Sequence, residues 1–161
     1  GGANDNRGWR ARQLGPGAYK YYLDTNRLGT QLGDIRIGGS AELRFSLGGA
    51  LLGAVFFDAG NVWTLNEDIN RPGSRFTSNW YREIALSGGI GIRYDLDFFI
   101  VRLDLGIPIT NPSLPDGARW IFQTRQAYYD EGIAVFGIEN YKNKMPKPFT
   151  PQIHFGIGYP F

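Results

Sequence analysis

The residues best placed to do chemistry are charged groups set among apolar ones. Asp58 lies within LLGAVFFDAGNVW, residues 51–63, a stretch otherwise free of charge. Strand side chains alternate between two faces. That puts Leu52, Ala54, Phe56, Asp58 and Gly60 on one face, and Leu51, Gly53, Val55, Phe57, Ala59 and Trp63 on the other. A carboxylate on an apolar strand is costly unless it meets water or a partner. Arg7, Arg10 and Arg12 cluster near the start. A guanidinium offers carboxylates a planar fork of donors. The chemistry on offer is ion pairing.

Covalent and metal chemistry find no support. His154 is the only histidine, so an HExxH pair or a histidine-rich metal site is impossible. There is no cysteine, hence no disulfide framework and no thiol chemistry. No GxSxG elbow and no phosphate loop occur. Asp95 and Asp97 read as turn formers. Asp24-Thr25-Asn26 and Asn66-Glu67-Asp68 lack the spacing of a calcium loop and read as solvated. The expectation is a protein that is not an enzyme, with no metal and no cofactor. A net charge of +2 gives no reason to expect nucleic acid.

Five amphipathic strands must position these groups. The clearest covers residues 34–47, with Ile35, Ile37, Gly39, Ala41, Leu43, Phe45 and Leu47 opposite Asp34, Arg36, Gly38, Ser40, Glu42, Arg44 and Ser46. The second is 51–63. A third, 83–94, sets Ile84, Leu86, Ile90, Ile92 and Tyr94 against Glu83, Ala85, Ser87 and Arg93. A fourth, 98–109, sets Phe99, Val101, Leu103, Leu105, Ile107 and Ile109 outward and Phe98, Ile100, Arg102, Asp104, Gly106 and Pro108 inward. The fifth, 151–161, sets Ile153, Phe155, Ile157, Tyr159 and Phe161 against Gln152, His154, Gly156, Gly158 and Pro160. Short turns fall at 48–50 and 95–97. Long segments fall at 1–33, 64–82 and 110–150, and residues 119–129 read as either helix or strand.

Composition separates the fold classes. Aromatics at 15% and 23 glycines suit a β-rich chain with many turns. The longest apolar run, residues 50–57, is far short of the roughly 18 that a membrane helix needs. A soluble β-sandwich alternates too. Strand length and the alternation of short turns with long loops favour an antiparallel transmembrane β-barrel, with aromatics near strand ends as interfacial girdles. Five strands leave two open edges, which lipid does not tolerate. The chain therefore reads as part of a larger barrel, or as one copy of several that pair edges. An exported protein needs a signal peptide, and none opens this sequence, so the expectation is a mature form or a fragment.

Four stretches in order carry a resemblance: NRGWRARQLGPG (6–17), VFFDAGNVW (55–63), RLDLGIPI (102–109) and HFGIGYPF (154–161). Together they resemble the C-terminal barrel segment of the Omp85 superfamily, and within it the BamA/TamA-like surface-antigen branch. The resemblance implies the last five strands of a sixteen-stranded barrel of the bacterial outer membrane, preceded in such proteins by periplasmic POTRA domains. It implies that Arg7, Gly8 and Trp9 form a loop motif folded into the lumen, where the arginine meets acidic wall residues corresponding to Glu42 and Asp58. Trp9 stands where phenylalanine is commoner. It further implies that Ile153, Phe155, Gly156, Ile157, Gly158, Tyr159 and Phe161 form a signal strand that closes weakly on the first strand. Glycine would weaken that strand, and Pro160 removes a ladder donor.

The function so implied is folding and insertion of outer-membrane proteins through that weak seam. The implied partners are the bilayer, unfolded outer-membrane polypeptides, accessory lipoproteins and the strands that close the sheet. The alternatives are a passive pore or two-partner secretion channel, and a structural surface barrel whose 110–150 segment is a binding surface.

Overall fold

A computed structural model of the chain describes residues 1–23 and 32–158. Five strands form one antiparallel meander, each paired with the next: β1 (Ile35–Gly48), β2 (Leu51–Trp63), β3 (Ala85–Asp95), β4 (Ile100–Thr110) and β5 (Gln152–Gly158). Gly48 and Gly49, both at positive φ, close the β1–β2 hairpin. Among the described residues no helix is long and apolar enough to cross a membrane.

Period-two alternation sorts the sheet into two unlike faces. Outward residues align in rows that cross every strand. One row runs Leu43, Val55, Ile90, Leu105, Ile153, and the next Phe45, Gly53, Ile92, Leu103, Phe155. Among the described residues nothing covers these rows: Leu43 is 70% exposed, Ile90 60% and Phe155 63%. The opposite face carries the charges: Asp58, Arg93 and Asp104 at its centre are buried, while Arg36 and Arg44 on β1 stay exposed. A soluble sandwich would bury the apolar face and wet the polar one. This inversion is the pattern of a barrel wall, apolar toward lipid and polar toward the lumen.

Several boundaries differ from the sequence reading. The third strand starts at Ala85 rather than 83. Glu83 ends a 3-10 helix, Trp80–Glu83, where its carboxylate accepts from Trp63 Nε1 at 2.6 Å and its carbonyl from Asn61 Nδ2 at 2.6 Å. Side chains at the end of β2 take up those groups in place of a ladder partner. The fourth strand starts at Ile100 rather than 98, because Asp97 adopts φ 66° and Phe98 N donates back to Leu96 O at 2.8 Å. The fifth starts at Gln152 rather than 151, since Pro151 has no N–H, and is described as far as Gly158. Tyr159 and Phe161 of the expected signal strand lie outside the described residues, as do the residues after Leu23 and before Leu32 in the long first segment.

Of residues 119–129, which read as either helix or strand, the part before Gln126 is turns with one isolated bridge, Thr110 to Trp120, and the part from Gln126 on is helix. α1 (Gln126–Phe136) is followed by α2 (Tyr141–Lys144). Tyr128 and Gly132, four apart, form the buried side of α1, and Gly137 N caps it by donating to Ile133 O at 2.9 Å. Tyr128, Leu114, Ala118, Met145 and Phe149 enclose Tyr22 from the first segment in a small core. Glu131 accepts from Tyr22 Oη at 2.7 Å and from Lys20 Nζ at 2.5 Å. Burial and the Glu131 carboxylate push the Tyr22 hydroxyl above its ordinary range, so it stays a donor. The first segment is thus gripped at its far end by the long β4–β5 connection.

Candidate functional site: an arginine lock on the inner wall

The lock starts from strand register. Ser40, Asp58, Ser87 and Pro108 lie side by side on the inner face of β1 to β4, and Glu42, Phe56, Gly89 and Gly106 form the row beside them. Residues 6–9 fold onto these rows. Asn6 shapes the turn: its Oδ1 accepts from Gly8 N at 3.2 Å and from Ser87 Oγ at 2.7 Å, and its Nδ2 donates to Ala85 O at 3.1 Å.

That turn aims Arg7 at the carboxylates. Its Nε and Nη2 donate to Asp58 Oδ2 and Oδ1 at 2.9 and 2.8 Å, and its backbone N donates to Oδ2 at 2.9 Å. Nη1 donates to Glu42 Oε2 at 2.6 Å and Nη2 to Ser40 Oγ at 3.0 Å. The guanidinium also stacks on Phe56, 3.5 Å from the ring centroid. Arg7 is 4% exposed and Asp58 1%. The structure thus brings together Arg7, Glu42 and Asp58, the three lock residues that the resemblance pairs.

Two further charges extend the lock, and sequence reasoning did not assign them to it. Arg93 on β3 is buried and grips the same carboxylate, Nη2 to Glu42 Oε2 at 2.9 Å and Nε to Oε1 at 3.3 Å. Its Nη1 lies 2.5 Å from Asp104 Oδ1 on β4, and Arg7 Nη1 lies 3.8 Å from Asp104 Oδ2. Neither Asp104 oxygen makes a hydrogen bond of good geometry, so its attraction to both arginines is Coulombic. The result is an alternating chain, Asp58, Arg7, Glu42, Arg93, Asp104, across four strands and the loop. Its signal in the sequence was the inward placement of Arg93 and Asp104 on adjacent strands. Gly91 lies between them, and a side chain there would fill the space in which they meet.

Gly8 and Trp9 serve the backbone and the packing. A Cβ on Gly8 would come within 2.6 Å of Ser87 Cβ and 3.3 Å of Pro108 N. Trp9 is buried with Leu14 and Ala85. Gly8→Ala should therefore lift the loop and cost about 1–3 kcal/mol, the usual penalty of overpacking. Faster proteolysis within residues 1–23 of the folded protein is the expected readout; an unchanged cleavage rate would rule out this contact as a constraint.

The C-terminal strand residues sit elsewhere. Ile153, Phe155 and Ile157 point to the uncovered face. Gly156 faces inward beside Arg102 Nε, and Gly158 closes the described strand with open space around it. None of the five contacts the Arg7 ion pairs. Inward Gln152 and His154 meet the loop instead: Arg10 Nε donates to Gln152 Oε1 at 3.2 Å, and His154 Nε2 lies 3.0 Å from Arg7 O.

Residues 1–161 match the family model described as the Omp85 superfamily domain. No curated protein and no solved structure matches the chain.

Proposed function

The chain belongs to the Omp85 superfamily, and from that premise we propose that it is part of a BamA/TamA-like factor that folds and inserts β-barrel proteins into the bacterial outer membrane. Superfamily proteins are outer-membrane proteins, bacterial or organellar, and insertion or transport is the class of activity that membership indicates. The finer reading rests chiefly on the buried lock. Arg7, Asp58, Arg93 and Asp104 are each at most 4% exposed. They fix a loop against the wall where a conducting pore would hold water. A wall so filled favours work at the sheet and its edges over passive flow through the lumen.

Among the described residues β1 and β5 each have one unpaired edge. Lipid penalises unpaired backbone groups. Further strands of a longer polypeptide, in a barrel of sixteen, would close this sheet; further copies of the chain are the alternative. The seam beside β5 would admit substrate strands from unfolded outer-membrane polypeptides, with accessory lipoproteins as partners and no covalent step.

The test is reconstitution of the full-length protein in liposomes with an unfolded β-barrel substrate. The substrate should gain protease resistance faster than in empty liposomes, while planar bilayers show little steady conductance. Steady conductance without faster substrate folding would favour the passive pore. Delivery of an unfolded passenger across the bilayer would favour two-partner secretion.

A further inference from the structure

Among the described residues β5 has little to hold it: Gln152–Gly158 pairs only with β4. Its outward side chains are largely exposed and pack on little. Its inward side is different. The loop backbone lies directly on the β4–β5 pair: a Cβ on Gly106 would come within 2.7 Å of Arg7 C and closer still to its carbonyl oxygen. Only glycine leaves room for that approach. His154 is the register partner of Asp104 on β4, and its buried Nε2 reaches the same Arg7 carbonyl at 3.0 Å. Gln152 takes Arg10 Nε. Both polar side chains that β5 turns inward are therefore bonded to the loop.

We infer that His154 is a positioning residue that fastens β5 to the Arg7 loop, so that the lock and the attachment of the last described strand form one linked equilibrium. Arg7 binds outward through its side chain to β1 and β2 and backward through its carbonyl to β5. Release of the guanidinium frees the carbonyl, and among the described residues β5 then keeps only its ladder to β4. The consequence for insertion rests on the reading that substrates meet the wall beside β5. The link itself does not, and the two can fail separately.

Hydrogen exchange of the full-length protein in nanodiscs tests the link without any insertion assay. His154→Phe keeps the bulk and removes the donor. Exchange at the Gln152–Gly158 amides should rise several-fold, up to about tenfold, the effect of one lost hydrogen bond, while β2 stays within about twofold. His154→Gln, which restores a donor, should return most of the protection. In an Arg7→Ala background His154→Phe should add less than about twofold. Gln152→Ala, which removes only the exposed bond, should have the smaller effect and serves if His154→Phe does not assemble. Unchanged β5 exchange, equal effects with and without Arg7, or no rescue by glutamine would overturn the inference.

Discussion

Arg7→Ala should lower the temperature at which the full-length barrel loses its folded gel mobility, by the largest margin of any loop substitution. Removing one partner of a buried ion pair costs about 3–5 kcal/mol, because the other charge is left without compensation. After the change, Asp58, 1% exposed, keeps only the Ser40 hydroxyl, at 2.6 Å, of the side-chain donors that now serve it. Glu42 loses less, since Arg93 and Arg44 still serve it. Arg7→Lys should resemble alanine more than wild type. A lysine presents one compact ammonium, whereas the guanidinium serves Asp58 twice and Glu42 once while sitting over the Phe56 ring. Replacing Arg7 and Asp58 together with apolar residues should cost less than either single change, because no buried charge is then stranded at that end of the chain of charges. Unaltered mobility of Arg7→Ala on heating would mean that the loop is held by its other contacts.

The sheet was readable because its physics is local. Alternation along each strand depends on residue types alone, and the face on which Asp58, Glu42 and Arg93 lie follows from counting by twos. Strand ends were harder, since they depend on groups distant in sequence: Glu83 leaves the ladder because Trp63 and Asn61, about twenty residues earlier, hold its side chain and carbonyl. The same holds for α1. Its sequence has no side-chain cap at Arg125, and its buried side, Tyr128 and Gly132, is defined by packing with Tyr22 and Met145. In the lock, the Arg7, Glu42 and Asp58 pairing was visible through the family motif and the face assignment together. Arg93, Asp104, Asn6, Ser87 and His154 were not, because the contacts that recruit them need the register between strands and the path of the loop over them. No pattern within one strand encodes that His154 reaches a carbonyl 147 residues away in sequence.

The outward face yields the second large effect, and it separates lipid from a covering protein layer. Val55 lies between Leu43 and Ile90 in a row that crosses all five strands, and Leu103 lies between Ile92 and Phe155 in the next. Val55→Arg or Leu103→Arg should cost about 2–4 kcal/mol in bilayers if these rows sit near the membrane midplane. Leu65→Arg, at an exposed position in the β2–β3 connection, should stay within about 0.5 kcal/mol. A buried arginine would also be costly beneath a second protein layer, so the single values do not decide. Depth dependence does. Arginine placed in turn at Leu51, Val55, Phe57 and Ala59, all on this face of β2, should cost most in the middle and fall toward the ends, because the bilayer penalty fades toward the interfaces. Thinner lipids should flatten the profile, since less hydrocarbon then surrounds each position. A profile set only by each side chain's neighbours, and unmoved by lipid thickness, would mean that protein covers these rows.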